Sequence, residues 1–132
     1  MSITAAKGYL VRRLSEAPTV PCPCGQSTRP LTRADTPLCN LHVTFIKDSV
    51  KHYHKETTEV YLILEGRGRL ELNEDVIEVE PGMVIYIEPY TAHRLQSEGG
   101  VKTVVFGVPA LRADDEYFVH DTTACGLATA PR

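Results

Sequence analysis

HYHKETTEVYLILEG, from His52 to Gly66, decides the reading of this chain. In an extended strand, side chains at i and i+2 point to one face, so His52 and His54 can grip a single ion together. Glu59 opens the apolar run Val60 to Leu64, which is too short for a helix and rich in residues that favour strands. Gly66 and Gly68 break the run. Alternation from an inward Glu59 places Tyr61 and Ile63 on its face, with Val60 and Leu62 packing outside. His93, 34 positions after Glu59, supplies a third imidazole if consecutive strands bring it back.

The flanking sequence has that strand pattern. Leu41, Val43 and Phe45 alternate with His42 and Thr44, and Leu70 and Leu72 alternate with Arg69 and Glu71. Asn73-Glu74-Asp75 turns the chain before Val76, Ile77 and Val79; Pro81-Gly82 turns it again before Met83 to Ile87. His93 to Leu95 and Val101 to Val108, separated by Gly99-Gly100, complete about seven or eight short strands, the signature of a sandwich or barrel. No internal repeat is visible.

A length of 132 residues predicts one domain, and 42% hydrophobic with 23% charged residues is a globular composition. The net charge of −3 and the lack of a basic block give no reason to expect nucleic acid or a membrane surface. No apolar run approaches the ~20 residues of a membrane span, and Met1 to Leu14 lacks the apolar core of a secretory signal. The expected location is the cytoplasm.

Residues 1–26 read as an N-terminal arm, 27–109 as the barrel, and 110–132 as a segment packing on it with a frayed end at 129–132. Tyr9 to Leu14 suits a short strand, after which Pro18, Pro21 and Pro23 are expected to stop regular structure. Cys22-Pro23-Cys24-Gly25 reads as a rigid turn tucking small thiols against the barrel; a redox or ligand-facing role stays open. Cys39 and Cys125 form no C-x-x-C pair with them. Asp114-Asp115-Glu116 reads as solvated, and Tyr117-Phe118-Val119 as a docking segment.

The spacing of these residues resembles the cupin family. Its first motif, H-x-H followed by Glu and Gly, is matched by His52, His54, Glu59 and Gly66, with four residues before Glu59 and six after it. The second motif keeps Gly82 and His93 but has Glu88 for its usual Pro, Tyr90 for Gly and Ser97 for Asn. Fifteen residues separate Gly66 from Gly82, so no inserted loop decorates the barrel. The resemblance implies an all-β fold, a small double-stranded β-helix (jelly-roll) barrel. It also implies a metal site of His52, His54, Glu59 and His93, and pairing into a homodimer. It does not select a reaction, since cupins include dioxygenases, isomerases, lyases and non-catalytic binders.

Neutral imidazoles and a carboxylate suit one divalent transition metal, such as Fe, Mn, Ni or Zn. Three imidazoles and one Glu leave such a centre near +1, receptive to a small anionic ligand, with two of six positions open. Glu56 competes with Glu59 but lies in the Lys55–Thr58 turn, and His42 and His120 lack ligand spacing. Tyr61 and Tyr86 are the candidate acid or base groups. Phe45, Arg94 and Tyr90 are candidates for substrate binding, with Tyr86, Phe45 and Leu95 as cavity walls; Arg94 is expected to point away from the face of His93, yet at a barrel mouth its guanidinium could still reach a carboxylate. The function expected is a metal-dependent enzyme on a small polar or anionic molecule, a dioxygenase or an isomerase or lyase. The alternative is a non-catalytic binder of a sugar or acid.

Overall fold

The computed structural model describes residues 8–22 and 24–119. The expectations for His120, Cys125, Pro23 and the frayed end lie outside the described residues. Among the described residues, ten strands follow a 3₁₀ turn at Leu14–Glu16. They are β1 (Thr19–Cys22), β2 (Gly25–Leu31), β3 (Asn40–Asp48), β4 (His52–Tyr53), β5 (Thr58–Glu65), β6 (Gly68–Leu72), β7 (Asp75–Val79), β8 (Val84–Ile87), β9 (His93–Val108) and β10 (Tyr117–Phe118). All pairings are antiparallel, and the sheet curls into the jelly-roll barrel.

Strand β9 organises the curl. The sequence suggested two strands on either side of Gly99-Gly100, but His93–Val108 is continuous. Its first half pairs with β6 and meets β4 at His52↔His93; its second half lies between β3 and β5. The change of neighbours occurs at an irregularity, since Val101 pairs with Ile46 but Gln96 with Asp48. Ser97 closes it, donating from Oγ to Arg67 O (2.6 Å) and accepting from Gly100 N (2.9 Å). The Ser that departs from the family motif therefore pins the corner of the barrel. Gly66, the last residue of the first motif, packs against the same corner. A Cβ there would sit 2.1 Å from Gly100 O, and its φ of +89° disfavours any side chain.

Register sorts the interior into a polar end and an apolar end. Asn40 and Glu59 both pair with Gly107, His42 and Tyr61 with Val105, and Thr44 and Ile63 with Thr103. Next comes Ile46 opposite Val101. The apolar end packs Ile46, Ile63, Leu70, Val79, Ile85, Leu95 and Val101 into the core. Val79 and Leu70 are brought there by the β6–β7 hairpin, whose two-residue loop uses Asn73 at φ 56°, and Leu95 of β9 pairs with Leu70. That Asn also reaches the turn before β9: its N–H donates to Ala92 O, and its Oδ1 accepts from Ala92 N (3.0 Å).

The N-terminal region is more regular than its prolines suggested. Thr19–Cys22 forms an edge strand on β2, where Pro21 is tolerated because its missing N–H faces away from the ladder. The strand expected over Tyr9 to Leu14 is absent, and the chain there is irregular up to the 3₁₀ turn. Arg12 ties it to the barrel through a two-pronged ion pair with Asp35 (2.7 and 2.6 Å). Cys22 and Cys24 are joined as a disulfide and so are not the free thiols expected.

Candidate metal centre

Two strands, β4 with the residue after it and β9, carry three imidazoles to the polar end. His52 and His93 are direct partners across β4 and β9, with ring centroids 4.4 Å apart. His54 follows two residues later on the same face, 5.6 Å from His93 ring to ring. All three are buried. One ligating nitrogen from each falls within 4.8 Å of the other two, so the three can hold a metal ion. Glu59, buried at the start of β5, places Oε1 3.3 Å from Nε2 of both His54 and His93.

The hydrogen bonding of the rings fixes their chemistry. Nδ1 of His52 meets Val50 O (2.7 Å), Nδ1 of His54 meets Asp115 O (2.7 Å), and Nδ1 of His93 meets Thr91 O (2.9 Å). A carbonyl only accepts, so each Nδ1 carries the proton and each Nε2 of the neutral ring presents a lone pair. Nε2 of His54, Nε2 of His93 and Oε1 of Glu59 are buried with no hydrogen-bond partner among the described residues. Their 3.3 Å contacts thus set acceptor against acceptor, with no proton between them in the neutral form. Unsatisfied buried acceptors facing one point are costly unless a cation satisfies them, and these fit a divalent transition metal.

The electrostatics agree. Burial, aided by His93, lowers the pKa of His52 to about 3, so its ring is neutral at physiological pH. Burial opposes charge on His54 and Glu59 too, but the pair overrides it: His54 rises to about 9, while His54 and His93 hold Glu59 well below the usual carboxylate range. Without an ion, the carboxylate draws a proton to this point; a bound cation would take the place of that proton.

Around the four lies a polar lining from β2, β3 and β5. Tyr61 is inward, its ring edge-on to His93 (6.1 Å), and its hydroxyl has no hydrogen-bond partner among the described residues. Burial and then Glu59 push its pKa well above 10, so it is a neutral phenol that donates a proton or hydrogen bond and does not serve as a base. His42 is also buried inward; burial and then Arg29 lower its pKa to about 4. Arg29 is held by Nε to Ser27 Oγ (3.1 Å) and makes no ion pair among the described residues.

Other candidates stand elsewhere. Tyr86 is 63% exposed because Glu59 pairs with Ile87, which turns Ile87 inward and Tyr86 out. Phe45 also faces outward, its ring covering Gly100 where a Cβ would meet it at 2.0 Å. Arg94 points away from the imidazoles, bound to Asp48 (3.1 Å) and Ser49 O. Leu95 belongs to the apolar core. Tyr90 adopts φ 69° where the family has Gly; its ring stacks on Tyr53 and its N–H donates to His54 O (2.7 Å), steadying the loop beside the site.

Sequence reasoning missed the acidic triplet. Asp115 is buried: its carboxylate accepts from the backbone N–H groups of Lys55 (2.8 Å), Glu56 (3.0 Å) and Thr57 (3.2 Å), and its carbonyl anchors His54. Glu116 turns inward, Oε2 3.7 Å from His52 Nε2. A run of three acids carries no periodicity, and only its position beside Tyr117-Phe118-Val119 hinted that it docks.

Known proteins share this fold. A family model described as a cupin domain matches residues 42–109. An uncharacterized protein of Methanocaldococcus jannaschii is 44% identical over 50 residues, 38% of this chain and 40% of the relative. A glucose-6-phosphate isomerase of Thermococcus gammatolerans is 34% identical over 73 residues, 50% of this chain and 39% of the relative. The chain thus spans about two-fifths of the length of these curated relatives. A protein from Planctomyces limnophilus shares the fold at TM-score 0.79 and 28% identity, over 86% of this chain and 99% of that one. An ectoine synthase from P. lautus does so at 0.71 and 21%, over 86% and 95%. With the matched segment running from His42 on β3 through all four motif residues to Pro109, the chain belongs to the cupin family.

Proposed function

We propose that this cupin is a metal-dependent enzyme acting on a small polar or anionic molecule, with His52, His54, His93 and Glu59 as protein ligands. The observation that carries the reading is the set of bare, buried acceptors at one point: Nε2 of His54 and His93 and Oε1 of Glu59, backed by three Nδ1 atoms tied to carbonyls. A divalent ion there supplies Lewis acidity toward a substrate oxygen. Arg29 attracts the anionic part of the substrate, and Tyr61 donates a hydrogen bond or proton beside His93. Isomerase or lyase chemistry is favoured over dioxygenation. It needs a positioned proton donor, which Tyr61 is, and it agrees with the 34% identity to a glucose-6-phosphate isomerase.

Metal analysis of protein purified without an affinity tag tests the site. About one equivalent of a first-row metal is expected in the wild type, with a loss far beyond 10-fold in affinity in His54→Ala. Substoichiometric binding by the wild type at micromolar metal would sink the proposal. Oxygen uptake by the Fe(II)-loaded protein with small acids, thiols and diketones separates the branches, and none is expected.

A further inference from the structure

We propose that the polar end of the barrel recognises a zwitterion, with Glu116 meeting the ammonium and Arg29 the carboxylate of a small amino acid; this rests on the enzyme reading above and narrows its substrate class. The two residues belong to opposite ends of the strand order β1-β2-β3-β9-β4-β10, and the curl brings both inward. In β2, Ser27 is buried opposite Thr44, whose hydroxyl donates to Ser27 Oγ (3.3 Å). Arg29 follows two residues later on that face, its Nε donating to the same Oγ (3.1 Å). On the other side Phe118 pairs with His52, ring centroids 6.4 Å apart, and Glu116 precedes it by two residues. Glu116 Oε2 accordingly reaches to 3.7 Å from His52 Nε2. Its backbone is held on one side by the three amides that bind Asp115 and on the other by Val119 N donating to Lys51 O (2.9 Å).

Neither charge is matched. His52 keeps its proton on Nδ1, toward Val50 O, and so gives the Glu116 carboxylate no hydrogen. Among the described residues, Arg29 and Glu116 form no ion pair with each other, and neither pairs with another Lys, Arg, Asp or Glu. Each is nonetheless within the other's field: burial disfavours ionised Glu116, and Arg29 is among the charges that favour it. The same two charges bear on the catalytic face. Arg29 adds to burial in keeping His42 neutral, and Glu116 adds to burial and Glu59 in keeping the Tyr61 phenol protonated. Half-buried charges of opposite sign, too far apart to pair, are costly until a ligand carrying both signs lies between them.

The arrangement also discriminates. A carboxylate is planar and is satisfied by the two free Nη groups of a single guanidinium. A phosphate dianion that met Arg29 would stand in the field of both Glu116 and Glu59, and a simple amine that met Glu116 would leave Arg29 bare. Repulsion of this kind selects as strongly as attraction does. The substrate class is therefore an amino acid and not a sugar phosphate.

Calorimetric titration of the full chain, both Co(II)-loaded and metal-free, tests the assignment. The probes are β-alanine and γ-aminobutyrate, with propionate and butyrate as matched acids and propylamine and butylamine as matched amines. At least one zwitterion is expected to bind ~10-fold or more tightly than its acid and its amine. Glu116→Gln should bring the zwitterion down to the affinity of the acid, whereas Arg29→Gln should weaken zwitterion and acid together by ~10-fold or more. Wild-type affinities for zwitterion and acid that agree within ~2-fold would overturn the proposal, whether or not either variant folds. So would a zwitterion preference that survives in Glu116→Gln. Failure of the wild type to bind Co(II) would instead refute the metal site, while the head-group preference is still read in the metal-free protein.

Discussion

Replacing Asp115 with Ala is expected to damage both stability and metal affinity, although Asp115 is neither a core residue nor a ligand. Its carboxylate takes three backbone N–H groups from the turn Lys55–Thr57, at 2.8, 3.0 and 3.2 Å. Hydrogen bonds to a charged acceptor contribute about 1.5–3 kcal/mol each, and a buried donor left unmatched costs about 1–3 kcal/mol. Water can reach the part-buried amides of Lys55 and Glu56, but Thr57 N is buried. Taking full loss at Thr57 and partial loss at the other two gives about 3–5 kcal/mol. Against the 5–15 kcal/mol of an ordinary domain, that is a large fraction.

The turn also joins His54 to Glu59, so loosening it blurs the position of two ligands. The backbone carbonyl that anchors His54 Nδ1 survives in Asp115→Ala, so metal binding is expected to weaken by ~10–100-fold and not to vanish. Urea denaturation of the metal-free protein reads the first effect, and Co(II) competition reads the second. Asp115→Asn, with one acceptor oxygen and no charge, should fall between. A loss below about 1 kcal/mol in Asp115→Ala would refute the reasoning, because it would mean the three amides find equal partners without the carboxylate.

Other outcomes follow from the same geometry. Tyr61→Phe removes a hydroxyl that has no hydrogen-bond partner among the described residues, so stability should change by less than about 1 kcal/mol while turnover falls ~10²–10⁴-fold; equal turnover would exclude Tyr61 from the chemistry. His42 titrates at about 4 when folded and near 6.5 when unfolded, so the unfolded chain binds the extra proton between those values. Its contribution is therefore intact above pH 6.5 and lost as pH falls toward 4, by at most about 3 kcal/mol; His42→Gln should flatten that part of the stability profile, and an unchanged slope would contradict the burial argument. Gly66→Ala should cost at least ~2 kcal/mol by thermal or urea melting, since its Cβ would overlap Gly100 O at a positive φ. Finally, Leu62, Val84 and Tyr86 form an exposed apolar stripe across β5 and β8. If the expected homodimer uses it, Leu62→Glu should yield a monomer in light scattering; a dimer that persists would place the interface elsewhere.

What the sequence made legible was local. The pairing of His52 with His54, the inward face of Glu59, Tyr61 and Ile63, and the turns at Asn73 and Gly82 all follow from a period of two and from turn chemistry. Tyr86 was misplaced by the same rule. The alternation in β8 was visible, but its phase is set by pairing with β5, and only the register Glu59↔Ile87 fixes it. The prolines of the arm misled because an edge strand uses half its backbone groups, which the sequence cannot say in advance.

The residues that escaped are those whose role depends on distant partners. Asp115 lies 58 to 60 positions from the amides it binds, and Glu116 reaches His52 from the far end of the described chain. Neither has a spacing to read. Both are placed by Tyr117 and Phe118, which extend the sheet from β4 and draw the preceding acids over the polar end. The departures from the second motif belong to the same account. Tyr90 occupies a left-handed position that Gly would fill more cheaply, by about 1–2 kcal/mol, but its ring stacks on Tyr53, which stacks in turn on Tyr117. The aromatic row thus links the His93 turn, the His52–His54 strand and the strap that carries Glu116. A substitution that breaks this row should disturb all three together, which is a reason to treat the altered motif and the acidic strap as one device around the metal centre.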